Sequence, residues 1–354
     1  MTRVVVVLAV IPALDSGTQQ THRNALSRVI CVLSLLVLLA CMMVLSIAVG
    51  SRFIAPGEVW ELLWAPDGSQ DARVIHDLRV PRTALGIMAG VALGVSGALI
   101  MALTRNPLAD PGILGVNAGA HLAVALAIAG LGMTSFTQYV WFGFIGAIAA
   151  AVVVFLIGSL GKAGPSPIRL TLAGVALGAV LSGVATGVTL LDQRTFDLLR
   201  DWNAGSIVNR DLSLTMQLLP FIAVGVVIAL ALARSLNAIA LGEDMAQSFG
   251  MNVKAVRIWG VIAVTLLCGA TTAVVGPIAY IGLLVPHMVR FLSGPDQRWI
   301  IALTILASPS LLLGADVLGR IIVLPDEMPV GIVVAFIGAP VLIALVRRSR
   351  SVSL

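Results

Sequence analysis

Long apolar runs, interrupted by proline, glycine and charged residues, dominate the chain from about residue 29 onward. Because lipid offers the backbone no hydrogen-bond partners, a bilayer core of roughly 30 Å is crossed by a helix of about 20 apolar residues. The pattern therefore predicts an all-α, polytopic membrane protein with about ten transmembrane helices. The expected spans are 29–49, 83–103, 112–131, 139–160, 168–190, 214–233, 256–275, 277–292, 300–317 and 330–346.

Composition agrees with this pattern and excludes an ordinary soluble domain. Hydrophobic residues make up 59% of the 354 positions and charged residues only 11%, whereas a typical soluble domain is about 25% charged. The ten-helix domain is expected to fill 29–347, between cytoplasmic tails at 1–28 and 348–354. An apolar run at 4–14 resembles a signal-peptide core, but no convincing small-x-small cleavage site follows it, which favours the tail interpretation.

Charged residues indicate how the helices are oriented. An even number of spans places both termini on one side, and short cytoplasmic loops carry the excess of Lys and Arg. With cytoplasmic termini, the inner segments hold 14 of the 22 basic residues but five of the 17 acidic ones. Cytoplasmic termini are therefore expected. The net charge of +5 does not indicate nucleic-acid binding, because the basic residues are scattered singly at the ends of the spans.

The longest inner segment, 234–255, is expected to contain a short polar helix. Gly242 precedes Glu243 and Asp244, acids that suit a helix N-terminus, and Gly250 offers a left-handed stop after Phe249. A helix of about two turns is too short to cross the membrane. It is either a solvated connector or a docking element for a soluble partner.

Other inner breaks and small-residue ridges define helix ends and contacts. Asp110 and Ser166 are placed to cap the helices that follow them, each with proline at the first helical position. Gly86, Gly90 and Gly94 form one small-residue ridge, and Gly174, Gly178 and Ser182 form another. Such ridges allow close helix packing. Close packing within the subunit is favoured for the first ridge. For the second, a subunit interface or a pathway wall is equally plausible.

Several longer motifs lie at the ends of the spans. They are Leu78-Arg79-Val80-Pro81-Arg82, Gly94-Val95-Ser96-Gly97-Ala98, Arg105-Asn106-Pro107-Leu108-Ala109-Asp110-Pro111, Leu172-Ala173-Gly174-Val175-Ala176-Leu177, Leu241-Gly242-Glu243, Gly276-Pro277-Ile278, Val285-Pro286-His287, Pro329-Val330-Gly331 and Ile337-Gly338-Ala339-Pro340. Together they resemble the FecCD family of ABC importer permeases over nearly the whole chain from about residue 30. Within that family, the runs at 103–112, 169–177 and 341–348 are most similar to the ferric-enterobactin branch.

The resemblance implies a type II ABC importer permease fold, like that of the cobalamin importer, in a bacterial inner membrane. It implies a second permease subunit, either a paralogous heterodimer partner or an identical copy. It also implies two cytoplasmic ATPase subunits, which bind the ATP and Mg, and a periplasmic or lipid-anchored siderophore-binding protein. The expected cargo is ferric enterobactin or a related catecholate. Haem, cobalamin or another siderophore is the alternative.

The resemblance also assigns roles to particular residues. The coupling segment that seats in the ATPase comprises Leu241, Gly242, Glu243, Asp244, Met245, Ala246, Gln247, Phe249 and Gly250. Arg79, Arg82 and Arg320 fall on positions that receive the binding protein, although Asp316 lies one turn before Arg320 and could neutralise it. The translocation pathway is expected along spans five and ten and the start of span three, at Asn117, Gly119, Gly174, Gly178 and Ser182.

Missing motifs bear on the other classes of function. The chain has no Gly-x-x-x-x-Gly-Lys-Ser/Thr motif, so it is expected to be a non-catalytic subunit without a cofactor of its own. An ion-coupled secondary transporter would need membrane-embedded acids, and Asp316 is the one carboxylate near a span interior. The four histidines share no metal-ligand spacing, and His121 is expected to be packed or to face the pathway.

Overall fold

The computed structural model describes residues 28–50, 53–160 and 166–350, without the side chains of 345, 346 and 348–350. The predicted N-terminal tail lies outside this part of the chain except for Arg28, as do the last four residues, 351–354. The described helices are α1 (Arg28–Ala48), α2 (Pro56–Trp64), α3 (Gln70–Arg73), α4 (Val80–Thr104), α5 (Val116–Leu131), α6 (Phe136–Ser159), α7 (Pro167–Leu191), α8 (Gln193–Asn203), α9 (Leu212–Ala240), α10 (Glu243–Ser248), α11 (Val253–Val275), α12 (Ile281–Ser293), α13 (Gln297–Ile322) and α14 (Val330–Arg350).

Each predicted span coincides with an apolar helix of the structure. Seven are long and apolar enough to cross a membrane, namely α1, α4 with its extension back to Gln70, α6, α7, α9, α11 and α13. The other three, α5, α12 and α14, are shorter apolar helices. The all-α prediction is confirmed for the described residues. The end of the bundle that carries Arg105 and α10 is called the inner end, and the end that carries Arg79 and α8 is called the outer end.

The structure differs from the prediction around the eighth span, which was expected from residue 277. The helix begins only at Ile281, because Gly276 and Tyr280 both have positive φ, 78° and 70°, and interrupt the backbone. The short outer helices α2 and α8 were not predicted. Both lack the long apolar run by which the spans were recognised, and α8 reads Gln-Arg-Thr-Phe-Asp-Leu-Leu-Arg-Asp-Trp-Asn.

The centre of the bundle is α4, which contacts α9, α11, α12 and α13. Its glycine ridge faces α13: a side chain at Gly90 would collide with the backbone of Pro309, and one at Gly94 with Ser308. The prediction of close packing within the subunit is confirmed for this ridge. Small residues let the two helix backbones approach, which matters because lipid removes the usual hydrophobic drive for association.

Three predicted helix boundaries are also confirmed. The Asp110 carboxylate accepts a hydrogen bond from the N–H of Gly112 (2.8 Å) and starts a short 3-10 turn before α5. The Ser166 hydroxyl accepts one from the N–H of Arg169 (3.3 Å) at the start of α7. Gly250 has a φ of 76°, the left-handed conformation expected after α10.

Candidate functional site

The segment between α9 and α11 forms a small projection at the inner end. Gly242, with a φ of 123°, turns the chain out of α9, and α10 is six residues long. Ala246 is fully buried, and its carbonyl accepts a hydrogen bond from the N–H of Met251 (3.2 Å). Ala246 therefore packs the short helix against its own subunit, and its place in the coupling segment stays a prediction.

The opposite side of α10 is exposed and apolar. Leu241, Met245 and Phe249 follow one another at four-residue spacing and are 71%, 52% and 70% exposed. Asp244 and Gln247 are exposed as well, whereas the Glu243 carboxylate is paired with the Arg257 guanidinium at the start of α11. Three large apolar side chains held out on a rigid two-turn projection suit a hydrophobic cleft in another protein.

At the outer end, Arg79 and Arg320 bind the C-terminus of α1. Arg79 Nη1 donates to the carbonyls of Ile47 (2.6 Å) and Ala48 (2.9 Å). Arg320 Nη1 donates to the carbonyls of Ser46 (2.6 Å) and Val49 (2.7 Å). The last four carbonyls of a helix have no partner within it. The two arginines supply those partners and hold α1 against the bundle.

Asp316 links Arg320 to Arg82. Its carboxylate accepts hydrogen bonds from Arg82 Nε (3.0 Å) and Nη2 (2.7 Å), and also from Arg320 Nε (3.1 Å) and Nη2. Arg82 is also paired with Glu327, in the loop before α14. These residues are called the outer charge network: Arg79, Arg82, Asp316, Arg320 and Glu327.

The outer charge network does not favour a docking role for its arginines. Arg79, Arg82 and Arg320 are 5%, 8% and 1% exposed, so their guanidinium groups are not presented to a partner in this conformation. The alternative weighed for Arg320, pairing with Asp316 one turn earlier, is the arrangement observed. The sequence could suggest that pair, but nothing in it indicated that Arg82 would join from 234 positions away.

The residues predicted to line a pathway separate into two groups. Asn117 faces α11, where its Oδ1 accepts a hydrogen bond from the Thr272 hydroxyl (3.0 Å). A side chain at Gly119 would collide with the Gly146 carbonyl, and one at Gly174 with the Ile113 carbonyl. These two glycines pack closely against neighbouring backbone inside the subunit, and their assignment to the pathway stays a prediction. Gly178 is partly exposed and Ser182 is exposed.

Gly178 and Ser182 lie on a face of α7 that the other described residues leave uncovered. Only 11% of the apolar part of α7 is buried, against 78% for α11. Small side chains follow one another along this face, and a side chain at Gly183 or Gly187 would meet nothing within 4 Å. A ridge of small residues is typical of close contact between transmembrane helices. The predicted alternatives of subunit interface and pathway wall both remain open for this half of the ridge.

An open cavity of about 540 Å³, called the outer cavity, lies between the end of α8, the loop before α12 and the first turns of α14. Its polar groups come from Asn203 and Tyr280, and Phe336, 74% exposed, lies on its wall. Beside it, His121 stacks on Trp202 with ring centroids 6.1 Å apart, and His121 Nε2 lies 3.3 Å from Asn203 Nδ2. Sequence reasoning missed Asn203, Tyr280 and Phe336 as surface residues of a cavity. The Gly276-Pro277 break was the available signal.

The start of α8 is set by Asp192. Its carboxylate accepts hydrogen bonds from both the hydroxyl and the N–H of Thr195, and these bonds lower the pKa of Asp192. Leu199 and Trp202 on the same helix are buried. The cap therefore anchors the helix that supplies one wall of the outer cavity.

Comparison with known sequences shows how these features belong together. Residues 36–348 match the FecCD transport family. The chain belongs to the FecCD family. The matched range contains α10, the whole outer charge network and the exposed face of α7. It therefore covers every candidate functional surface of the structure.

Individual relatives of this FecCD protein match along most of their length. The ferric enterobactin transport system permease protein FepD of Escherichia coli is 48% identical over 92% of this chain and 97% of its own. The Fe(3+)-citrate import system permease protein YfmD of Bacillus subtilis is 36% identical over 93% and 98%. Among solved structures, one described as a metal-chelate type ABC transporter in an inward-facing conformation has a TM-score of 0.78 at 24% identity, covering 89% of this chain and 98% of that one. The predicted fold is confirmed.

Proposed function

We propose that this chain is a permease subunit of a bacterial ABC importer that carries a ferric siderophore, ferric enterobactin or a related catecholate, across the inner membrane. The 48% identity to FepD over nearly both full lengths supports the cargo. The observation that carries the mechanism is α10, whose exposed Leu241, Met245 and Phe249 form an apolar docking surface at the inner end. The chain has no P-loop motif, so ATP hydrolysis belongs to the partner that binds this surface.

The proposed assembly contains two permease subunits, two ATPases and a siderophore-binding protein. Each ATPase receives one α10 at the cytoplasmic face, where both termini also lie. The uncovered face of α7 suits the second permease, either a paralogous partner or an identical copy. Its small residues would let a helix of that subunit approach closely, and only 11% of the apolar part of α7 is buried within this subunit. The binding protein, periplasmic or lipid-anchored, delivers the cargo at the outer end.

The cargo pathway is proposed to run between subunits, along the exposed faces of α7 and α14. The outer cavity suits a large ligand, because its volume of about 540 Å³ is open and its groups are neutral: Tyr280, Asn203 and Phe336. A transport route must bind weakly enough to release its cargo. Neutral polar and aromatic groups satisfy that requirement for an anionic chelate better than a cluster of arginines would.

An ion-coupled secondary transporter would need a titratable acid in the spans that protons can reach. Asp316 lies within α13 but is 1% exposed and bonded to two guanidinium groups. A carboxylate held in this way does not exchange protons with a pathway, because protonation would break both ion pairs. Energy from ATP, delivered through α10, remains the mechanism that the geometry supports.

Reconstitution of the complete importer tests the coupling proposal. The double variant M245S/F249S should insert normally but lose ATPase binding and ATP-driven uptake of ferric enterobactin, because two apolar anchors of the interface are removed. The control is Phe291→Ser on α12, since Phe291 is also 70% exposed and near the inner end. Unchanged uptake by M245S/F249S, with normal uptake by the control, would disprove docking through α10.

Cargo choice needs a separate measurement. Uptake of ferric enterobactin is compared with uptake of ferric citrate and of haemin. All three are measured with the binding protein that belongs to this importer. Enterobactin transport alone is the expected result. Transport of haemin or ferric citrate instead would leave the permease function intact and disprove the catecholate assignment.

A further inference from the structure

A second cavity lies at the inner end of the subunit, beside the end of α9 that leads into α10. Its volume is about 330 Å³, and it is enclosed by α4, α9, α12 and α13 together with the turn after α4. Its wall toward the membrane interior is apolar, whereas its inner rim is polar and basic. The lining residues are Ala98, Met101, Ala102, Arg105, Pro107, Ala240, Pro286, His287, Arg290, Gln297 and Ile300.

Four polar side chains reach this cavity from three separate segments. Arg105 follows α4, His287 and Arg290 belong to α12, and Gln297 begins α13. Arg105 and Arg290 form no ion pair within the described part of the chain, and no acidic residue lines the cavity. Both guanidinium groups are exposed, so the rim presents two accessible positive charges side by side.

One buried side chain of the cavity lining also lacks a partner. Gln297 is 7% exposed, and its side-chain amide makes no hydrogen bond to any described residue. Buried polar groups are nearly always satisfied, so the unpartnered amide of Gln297, beside two guanidinium groups, points to a polar ligand in the cavity.

The backbone at Arg105 is itself unusual. Arg105 has a φ of 49°, in the left-handed region, where the C-terminal residue of a helix is most often glycine. A side chain at this position costs stability, and such strain concentrates at functional sites. The conformation places a guanidinium group on the rim of the cavity, a contribution that glycine could not make.

From this geometry we propose that the cavity is a binding site for a phosphate group. Guanidinium pairs recognise the oxygens of phosphate through charge-assisted hydrogen bonds, and the amide of Gln297 supplies a further donor. Basic pockets between transmembrane helices on the cytoplasmic side suit phospholipid head groups, and the apolar wall of Met101, Ala102 and Ile300 would accommodate the start of an acyl chain. Free phosphate offers the same oxygens without that apolar part.

The test uses the complete complex with its ATPases and three permease forms. These are the wild type, the double variant R105Q/R290Q and the control Arg298→Gln. Arg298 is exposed at the same end and paired with Asp296, but it does not line the cavity. One arm measures equilibrium binding of radiolabelled inorganic phosphate. The other measures, by native mass spectrometry, the phosphatidylglycerol retained after transfer into phosphatidylcholine nanodiscs.

The variants separate a permease site from phosphate bound by the ATPases, because the ATPases are identical in all three complexes. Each lost charge-assisted hydrogen bond should weaken binding about tenfold or more, so R105Q/R290Q should lose the ligand while R298Q keeps it. Loss of phosphatidylglycerol alone identifies a lipid site, and loss of inorganic phosphate alone identifies a free-anion site. Equal retention of both probes by wild type and R105Q/R290Q overturns the proposal. The outcome is independent of which siderophore is carried.

Discussion

Replacement of Asp316 by alanine would remove the centre of the outer charge network. The carboxylate is 1% exposed and accepts hydrogen bonds from both Arg82 and Arg320. Without it, Arg82 keeps its pairing with Glu327, and Arg320 keeps only neutral acceptors, the carbonyls of Ser46 and Val49 and the Ser46 hydroxyl. One buried positive charge would then have no counter-ion.

The magnitude follows from that unpaired charge. Removing one partner of a buried ion pair destabilises a protein by about 3–5 kcal/mol, because the remaining charge stays out of water. Arg320 loses both carboxylate contacts and keeps its bonds to the carbonyls of Ser46 and Val49 and to the Ser46 hydroxyl. We expect a loss near the lower end, about 3 kcal/mol, because those carbonyls still solvate the guanidinium group.

The assay is reversible unfolding of the purified permease by a denaturing detergent, with a double-mutant cycle. D316A should lose about 3 kcal/mol, whereas Glu327→Gln, at a site 29% exposed, should lose less than about 1 kcal/mol. The double variant D316A/R320Q, compared with D316A and R320Q alone, should recover part of the loss, because both charges are gone. A loss for D316A within about 0.5 kcal/mol of zero, as at ordinary surface positions, would refute the reasoning.

Three further predictions concern other parts of the structure. Gly90→Leu should prevent insertion or assembly, since the side chain would strike the Pro309 backbone; normal yield in membranes would contradict this. Asp192→Ala should make α8 easier to cleave by protease. The pKa of Asp192 is lowered in the folded state. The protection that the cap gives the wild type is therefore complete above the ordinary Asp pKa of about 3.9 and is lost as the pH falls through the lower folded value. A difference in cleavage rate between wild type and D192A that does not change with pH would count against this cap. Asp244→Lys should reduce ATPase coupling without changing stability, unlike Glu243→Lys, which also breaks the pair with Arg257.

The spans could be predicted because the bilayer imposes a strict rule on every one of them. A backbone in lipid must satisfy its own hydrogen bonds, so the apolar runs and their proline and glycine boundaries determine the helices. The same rule does not apply at the ends, where α2 and α8 form. These helices are stabilised by a few buried side chains, such as Val59 and Leu62 in α2, and the sequence carries no periodic signal strong enough to reveal them.

Residue roles were harder to predict because one signal serves several purposes. Small residues at four-residue spacing mark close approach, but Gly174 packs inside the subunit while Ser182, two turns later on the same helix, is exposed. The partner of a ridge depends on which helix lies opposite, and that is a property of the fold. Likewise, the charge on Arg82 could be read from the sequence, but its position opposite Asp316 could not.

The arginines at the two ends of the bundle differ in whether the chain itself supplies a counter-charge for them. At the outer end, Arg82 and Arg320 share an internal carboxylate, so the chain itself supplies the counter-charge and gains a fixed position for α1. At the inner end, Arg105 and Arg290 face a cavity without an acid. Both of these side chains are exposed, so water solvates them in the isolated subunit and their charges stay available to an outside anion. The buried arginines of the outer end have no such freedom, because their charges are already used within the fold. The proposed phosphate would therefore bind at the end of the bundle where positive charge is accessible.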